Sequence, residues 1–306
     1  MLKGILTVGA WTLLSRILGF ARDMLVAAIM GAGPVADAFF VALKLPNLFR
    51  RLFGEGAFNA AFVPAFSATL SAEGPAAARL LAERMGTLLA LWLALLTVLG
   101  WIFMPQVLTV LAAGFNDDPL RWELTLEMTR ITFPYLFFIC LTALVSGVLN
   151  GLGSFSAAAA APILFNLFAM VALLGLTPYV ATPGHAQSWG VMASGIAQLA
   201  MVWIVAARKG MPLLPRKPRL TPDVKTVLWR MLPGVLGAGV TQLNLAIDTL
   251  IATLLPAGAV SYLYYADRVA QLPLGVIGAA VGTALLPMLA RQFRTRQPVS
   301  YTHLTL

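Results

Sequence analysis

The sequence predicts an all-α protein that crosses a membrane many times, and three observations support this fold class. Hydrophobic residues make up 59% of the 306 residues, charged residues make up 11%, and the mean hydropathy is +0.85. Apolar runs long enough for a helix to span the hydrocarbon core recur along the chain. Basic residues concentrate between alternate runs, as the positive-inside rule describes. This composition is not that of a soluble enzyme.

The first four predicted spans cover residues 5–29, 35–52, 85–104 and 131–149. A turn rich in Gly and Pro at 31–34 separates the first two spans, because these residues favour chain reversal. The stretch 105–130 separates the third span from the fourth, and it carries more acidic than basic residues. We therefore expect both connections to lie on the outer side of the membrane.

The last four predicted spans cover residues 157–177, 188–207, 231–255 and 269–290. A short segment that contains His185 joins the fifth span to the sixth on the outer side, and residues 256–259 join the seventh to the eighth. The basic, proline-rich stretch 210–222 joins the sixth span to the seventh. We predict that this stretch is a cytoplasmic linker between two lobes.

The basic residues predict the orientation of these spans. Those assigned to one side of the membrane are Lys3, Arg79, Arg84, Arg208, Lys209, Arg216, Lys217, Arg219, Lys225, Arg230, Arg291, Arg294 and Arg296. By the positive-inside rule this side, and with it the amino terminus, faces the cytoplasm. The net charge of +9 therefore reflects membrane topology, and we expect no nucleic-acid partner.

An internal repeat predicts the domain organisation. Residues 23–35 align with residues 248–260 at a constant offset, since 248 − 23 = 225 and 260 − 35 = 225. The spans that hold both copies begin on the cytoplasmic side, which is the pattern of a parallel repeat. We predict a complete amino-terminal six-helix lobe and the first two helices of a pseudo-symmetric second lobe, so we expect the second lobe to be truncated. The predicted domains are 1–209 (first lobe), 210–222 (linker), 223–296 (start of the second lobe) and 297–306 (an atypical tail).

Two arginines lie inside the first predicted span, at positions 16 and 22. A basic residue near the centre of a membrane helix costs about 2.5 to 3.5 kcal/mol, so Arg16 and Arg22 are expected to face a partner, a polar ligand or a water-filled cavity. On a helix, Arg16 shares a stripe with Asp23, and Ser15 shares the neighbouring stripe with Arg22.

The second predicted span has a charged face, formed by Asp37, Lys44 and Arg51 at intervals of seven residues. Such a face indicates a polar cavity. The alternative is that Asp37 and Lys44 only pair with each other, while Arg50 and Arg51 reach the interface along their apolar stems. Pro46 and the residues that follow it predict a broken or bent helix end, open to water.

Five polar motifs stand in order along the chain. They are Ser15-Arg-Ile-Leu-Gly-Phe-Ala-Arg-Asp23, Asp37-Ala-Phe-Phe-Val-Ala42, Lys44-Leu-Pro-Asn-Leu-Phe-Arg-Arg51, Gly54-Glu-Gly-Ala-Phe58 and Tyr264-Tyr-Ala-Asp-Arg268. In order and spacing these motifs resemble the lipid II flippase family called MurJ or MviN, from residue 1 to about residue 296. The resemblance implies the fold of the multidrug/oligosaccharidyl-lipid/polysaccharide exporter superfamily. It also implies transport of the lipid-linked peptidoglycan precursor from the cytoplasmic to the outer leaflet of the bacterial inner membrane.

The resemblance implies a set of cavity residues, with arginines at its centre and Asp37 as the conspicuous acid. Together with the polar residues beside them, the predicted substrate-binding residues are Ser15, Arg16, Arg22, Asp37, Lys44, Asn47, Arg50, Arg51, Glu55, Ser261, Asp267 and Arg268. Guanidinium groups suit this substrate because they bind phosphate oxygens in bidentate fashion and stay protonated. We expect Arg16, Arg22 and Arg268 to engage the diphosphate and Arg50 to guide it in from the cytoplasmic edge.

Three other functions remain open, and the first is a non-transporting scaffold, which would bind the lipid but never move it. An O-antigen or multidrug exporter of the same superfamily is expected to centre its site on an embedded acid, for which Asp37 and Asp248 are candidates. A membrane enzyme acting on polyprenyl diphosphates needs clustered acids for Mg²⁺, and the pair Asp117 and Asp118 lies in a predicted outer loop. We expect a transporter and no enzyme, no cofactor and no metal site. The expected partners are lipid II and membrane lipids, and a monovalent coupling ion stays open.

Overall fold

The computed structural model of the protein describes residues 2–53 and 57–271. Every regular element in these ranges is helical, which confirms the predicted all-α fold class. The chain forms two units, one of residues 1–262 and one of residues 263–306. In the second unit, residues 263–271 are described and form helix. The division into domains at 209/210 and 222/223 stays a prediction.

Ten α-helices of the first unit have defined bounds within the described residues. They are α1 (Leu2–Met30), α2 (Pro34–Phe53), α3 (Ala57–Glu73), α4 (Pro75–Ile102), α5 (Met104–Leu111), α6 (Pro119–Thr132), α7 (Tyr135–Gly151), α8 (Ser156–Gly175), α9 (Pro183–Arg208) and α10 (Pro222–Thr253). Short 3-10 helices cover Ala113–Phe115 and Thr177–Tyr179. Residues 259–262, at the end of this unit, are helical as well.

Five helical segments in the described part of the chain are long and apolar enough to cross a membrane. They are Pro75–Ile102, Pro119–Gly151 (α6 and α7 together), Ser156–Gly175, Pro183–Arg208 and Pro222–Thr253. Helices α1 and α2 are not among these five, and each carries four charged residues. The five segments support a multi-pass membrane protein, and the total of about eight spans stays a prediction.

The helix starts follow local sequence rules. Proline occupies one of the first two positions of α4, α5, α6, α9 and α10, where its missing N–H is not needed. The carboxylate of Asp118 accepts a hydrogen bond from the backbone N–H of Arg121 and so caps α6. The hydroxyl of Thr182 accepts one from the backbone N–H of His185 and caps α9 in the same way.

Several predicted boundaries were wrong. Helix α4 begins at Pro75, ten residues before the predicted span, so Arg79 and Arg84 lie in its first turns and not in a loop. The predicted connection 105–130 contains all but the first residue of α5 and most of α6. His185, predicted for an outer loop, is buried in the first turn of α9. Capping residues and prolines extend these helices beyond their apolar runs.

The end of the second predicted span also differs from expectation. Helix α2 continues through Pro46 to Phe53, so the helix is not broken at this proline, and a bend there stays a prediction. A further helix, α3, follows at Ala57 and was not predicted. Most of the eighth predicted span, 269–290, and the whole tail 297–306 lie outside the described residues.

The core of the first unit is aromatic around α3. The rings of Phe58 and Phe62 stack with centroids 5.1 Å apart, and Phe62 and Phe66 follow at 5.8 Å. All three side chains are fully buried in one cluster with Leu144 and Val148 of α7. Spacing of four residues places the three rings on one stripe of the helix, which packs toward α7.

Helix α9 packs closely on its neighbours through two glycines. A Cβ atom at Gly190 would lie 2.7 Å from the Cβ of Ala172 on α8, and one at Gly195 would lie 2.7 Å from the ring of Tyr135 on α7. Real Cβ atoms do not come this close to other atoms, so any larger residue would force the helices apart. Small residues at such contacts allow helices in a membrane to approach each other.

Candidate functional site

The charged centre of α1 is a paired arginine. The Nη2 and Nε atoms of Arg22 donate hydrogen bonds to Oδ1 of Asp23, at 2.6 and 3.1 Å. The two side chains are 11% and 12% exposed. Pairing with an adjacent carboxylate lowers the cost of an arginine in a membrane helix. Arg22 is therefore one of the predicted site residues that the fold encloses.

Helix α8 completes the surroundings of Arg22 with two residues that the sequence analysis did not identify. Asn166, which is 5% exposed, accepts a hydrogen bond from Nη1 of Arg22 at 3.1 Å and donates one to the backbone oxygen of Ser15 at 3.0 Å. The ring centroid of Phe165 lies 5.1 Å from the guanidinium carbon. An asparagine in the middle of an apolar run was the available signal, because a polar residue there needs a partner.

Asp37 makes the second close arrangement, which we name the Asp37 joint. Its fully buried carboxylate accepts hydrogen bonds from the backbone N–H of Gly258 at 2.6 Å, the backbone N–H of Ser261 at 2.8 Å and the Ser261 hydroxyl. Gly258 has φ of 97°, which favours glycine, and this turn presents its N–H to the carboxylate. The joint ties the start of α2 to the helical residues 259–262.

These contacts correct one of the expectations for Asp37. The alternative in which it only pairs with Lys44 is wrong, since its partners lie more than 200 positions away along the chain. The structure brings together Asp37 and Ser261, two predicted site residues, and adds Gly258. Sequence spacing identified the acid but could not identify a partner on a distant helix.

The other predicted residues of the first unit are more open to solvent. Arg16, Lys44 and Arg51 are exposed, and Ser15 is partly buried. At the end of α2, Nε of the partly buried Arg50 donates to Oδ1 of Asn47 at 3.2 Å. Glu55 lies outside the described residues.

In the second unit, Arg268 lies over an aromatic ring. Its guanidinium carbon is 4.9 Å from the ring centroid of Tyr264, and Nη1 donates to Oε1 of Gln271 at 3.2 Å. Gln271 in turn donates to the carboxylate of Asp267 at 2.6 Å. A motif predicted to bind substrate thus forms a local chain of contacts along one helix.

A second buried carboxylate, Glu83, lies on α4 and was not predicted to be important. It accepts hydrogen bonds from Nε of Arg79 at 2.9 Å, Nε of Arg216 at 2.7 Å and the backbone N–H of Leu214 at 3.1 Å. The backbone N–H of Arg216 also donates to the hydroxyl of Thr87 at 2.9 Å. We name this set the Glu83 joint. It fixes the stretch between α9 and α10 to α4.

The carboxyl end of α10 has further contacts near the Asp37 joint. The backbone N–H of Gly114 donates to the hydroxyl of Thr253, and Nη1 of Arg121 donates to the backbone oxygen of Leu255. Arg121 is oriented by Asp118, whose carboxylate accepts from its Nε at 2.6 Å. This hydrogen bond lowers the pKa of Asp118 below its ordinary value.

Within residues 2–53 and 57–271, no group of three or more His, Cys, Asp and Glu side chains is arranged to hold a metal ion. The single cysteine, Cys140, is buried in the core.

The all-helical architecture and its five long apolar segments define a multi-pass membrane protein. Solved structures of membrane transport proteins share the fold. One described as "Lipid II flippase MurJ, inward closed conformation" matches with a TM-score of 0.73 and 26% identity, over 95% of this chain and 59% of that one. An inward-facing multidrug resistance MATE family transporter of the MOP superfamily matches with a TM-score of 0.70 over 94% of this chain and 64% of that one, at 16% identity, so it supports the fold alone.

Sequence comparisons identify the family. Residues 26–305 match the family described as "Lipid II flippase MurJ". The "Probable lipid II flippase MurJ" of Rhizobium meliloti (strain 1021) is 46% identical over 299 residues, and the "Lipid II flippase MurJ" of Burkholderia cenocepacia is 41% identical over 296. The chain belongs to the lipid II flippase MurJ family. The alignments cover 96% and 95% of this chain but only 56% and 57% of the two relatives.

Proposed function

We propose that this protein is a lipid II flippase, which moves the undecaprenyl-diphosphate-linked precursor of peptidoglycan across the bacterial inner membrane. Family membership and the names of the relatives support this substrate. The observation that carries the proposal is the enclosed guanidinium of Arg22, held in a charged helix and partly open to a further ligand. A lipid diphosphate is the anion that such a group would bind from within a membrane.

The number of N–H donors on Arg22 supports phosphate binding. A guanidinium group carries five N–H bonds, and three of them point to Asp23 and Asn166. Among the described residues, the other two have no acceptor. A phosphate group can accept two parallel hydrogen bonds from one guanidinium, so Arg22 has donors available for the substrate.

Arg16 and Arg50 have supporting roles in the proposal. Arg16 is exposed on α1, six residues before Arg22, and supplies positive charge that Asp23 does not neutralise. Arg50 guides the headgroup from the cytoplasmic edge. The remaining polar residues on α2 line the path of the sugar and peptide, while the prenyl tail stays in lipid.

Transport proceeds by alternating access in this proposal, and the Asp37 joint closes the outer side. All three donors to Asp37 are neutral groups, so opening the joint separates no pair of opposite charges. The amino terminus faces the cytoplasm, and the Glu83 joint lies at the cytoplasmic end of the helices. Rocking of two lobes about a fixed site is the common route of such transporters.

The membrane potential contributes to the driving force. One charge moved across 100 mV changes the free energy by about 2.3 kcal/mol, so an interior-negative potential drives an anionic headgroup outward. It also returns the empty cationic site toward the inward-facing state. Collapsing the potential across reconstituted vesicles should slow flipping, and an unchanged rate would remove this part of the proposal.

The decisive experiment measures the rate of lipid II flipping in vesicles into which the protein has been reconstituted. Arg22→Lys keeps the charge but cannot form the bidentate contact, so flipping should fall at least tenfold. Arg219→Lys, in the exposed stretch before α10, is the matched control and should flip at the wild-type rate. Wild-type protein that binds lipid II without moving it would overturn the proposal.

A further inference from the structure

We propose that Asn166 on α8 is a positioning residue for Arg22, holding its guanidinium so that two N–H bonds remain directed at the anionic group of the substrate. The inference rests on the proposed function, because it takes Arg22 as the group that binds the diphosphate. Asn166 is 5% exposed and lies 144 positions from Arg22 in the sequence, so the contact joins two separate helices.

Asn166 has only one amide orientation that satisfies both of its contacts. The backbone oxygen of Ser15 is an acceptor and needs the amide NH₂, which lies 3.0 Å away. The guanidinium of Arg22 is only a donor and needs the amide oxygen, at 3.1 Å. The contact to Ser15 therefore fixes the side chain, and the fixed oxygen in turn fixes one N–H of Arg22.

Gly19 provides the space that this arrangement needs. A Cβ atom at Gly19 would lie 3.6 Å from the amide nitrogen of Asn166, already in van der Waals contact. A larger side chain at position 19 would occupy the place of the amide. The small residue at position 19 thus leaves Asn166 room to reach the backbone of α1 between Ser15 and Arg22, and alanine there would make only ordinary van der Waals contact with the amide.

Three groups together define the plane of the guanidinium. Asp23 takes the Nε and Nη2 donors on one edge, Asn166 takes one Nη1 donor, and the ring centroid of Phe165 lies 5.1 Å from the guanidinium carbon. Without Asn166, Asp23 alone holds one edge, and the group can turn about that edge. The two remaining donors would then no longer be fixed in one direction before the substrate arrives, which weakens binding.

The test measures binding of a fluorescent polyprenyl diphosphate to the protein in lipid nanodiscs. Asn166→Leu keeps the volume but removes both hydrogen bonds, and it should raise the Kd about tenfold, the loss expected for one hydrogen bond to a charged group. In an Arg22→Ala background the same change should have no further effect on Kd. Gln198→Leu is the control, because Gln198 is also a buried amide, and its one hydrogen bond among the described residues is to Ser194 within its own helix.

The results distinguish a failure of the proposed diphosphate site at Arg22 from a failure of the positioning role of Asn166. If Arg22→Ala leaves the Kd unchanged, the proposed diphosphate site is wrong. If Arg22→Ala weakens binding and Asn166→Leu weakens it by the same factor in both backgrounds, Asn166 acts independently of Arg22 and the positioning role is wrong. An unchanged Kd for Asn166→Leu in the wild-type background also overturns it.

A second variant covers the case in which Asn166→Leu does not fold. Asn166→Ala also removes both hydrogen bonds but introduces a smaller side chain and no charge. It should bind the polyprenyl diphosphate about tenfold more weakly than wild type, and the Arg22→Ala background should again remove most of the effect. Binding equal to wild type would contradict the positioning role.

Discussion

Two buried carboxylates, Asp37 and Glu83, hold the segments on either side of α10, and they do so with different donors. Each accepts three hydrogen bonds. The donors to Asp37 are two backbone N–H groups and a hydroxyl, whereas Glu83 binds two guanidinium groups and one backbone N–H. Helix α10 has 32 residues, or about 48 Å at ~1.5 Å per residue, so the two joints lie far apart.

The difference in donors suggests a difference in function. Separating Glu83 from its two arginines leaves a buried charge without a counter-ion, which is costly. Separating Asp37 from neutral donors leaves one carboxylate that water can solvate once the joint opens. We therefore expect the Glu83 joint to persist through the transport cycle and the Asp37 joint to open and close.

The largest effect is expected for Glu83→Gln. The change leaves Arg79 and Arg216 without their carboxylate and should lower the free energy of unfolding by about 3 kcal/mol. This value lies near the lower end of the range for broken buried ion pairs, because both arginines are partly exposed. Unfolding by titration with SDS in mixed micelles measures it. Glu73→Gln, at an exposed position on α3, should have no effect. A loss as small as that of the control would contradict a persistent joint.

A smaller loss of stability, about 2 kcal/mol, is expected for Asp37→Asn, because the amide keeps the shape but loses a charged acceptor. The Asp37→Asn change should also give water-soluble reagents easier access to the Asp37 joint. A cysteine at Val260, which is 5% exposed, should react faster with a water-soluble maleimide in the Asp37→Asn protein than in wild type. The natural Cys140 is buried and should stay unreactive.

The Glu83→Gln variant tests whether the two joints open independently of each other. Glu83→Gln should leave the labelling rate of the cysteine at position 260 unchanged, because the two joints lie at opposite ends of α10. A cysteine at the exposed Ala257 should react at one rate in all three proteins. Equal acceleration at position 260 by both variants would show that the two joints open together.

Thr87→Val tests the part of the Glu83 joint that carries no charge. The change removes the acceptor for the backbone N–H of Arg216 and should cost about 1 kcal/mol of the free energy of unfolding. Thr109→Val is the control, since Thr109 bonds to Pro105 within its own helix and is exposed. An equal loss in the two variants would mean that the stretch before α10 gains nothing from this contact.

The smallest effect is expected for Asp118→Asn, which removes the carboxylate that orients Arg121 near the Asp37 joint. Arg121 lowers the pKa of Asp118 in the folded protein, so the carboxylate stabilises the fold above its unfolded pKa of about 3.9. That stability is lost as the pH falls through the folded value. Asn still caps α6, so the loss at neutral pH should stay below about 1 kcal/mol.

The pH dependence provides the check on that prediction. The difference between Asp118→Asn and wild type should be constant from pH 6 to pH 8, where the carboxylate is ionised in both folded and unfolded protein. It should shrink below pH 4. A difference that grows on acidification has the opposite sign and would falsify this role of Asp118.

The sequence predicted the long apolar helices well and their polar contacts poorly. Helix α8 extends over Ser156–Gly175, against a predicted span of 157–177, because an uninterrupted apolar run has little alternative in a membrane. Helix α3 was missed because Pro64 divides its short apolar pattern. Charge in an apolar run identified Arg22 and Asp37. Their partners Asn166 and Ser261 lie on distant helices, and periodicity shows which residues share a face but not which helix that face contacts.

The close contacts of Gly190 and Gly195 constrain how the first unit can deform. At Gly190 the backbone of α9 lies against the backbone of α8, and at Gly195 it lies against the ring of Tyr135 on α7. Surfaces this close cannot slide along each other without first separating, so α7, α8 and α9 should translate and rotate as one body. Spin labels placed on the outer faces of α7 and α9 should then report a single narrow distance distribution in every state of the cycle. Conformational change would then be confined to helices that lack such close contacts. Their movement would take place relative to the rigid body formed by α7, α8 and α9.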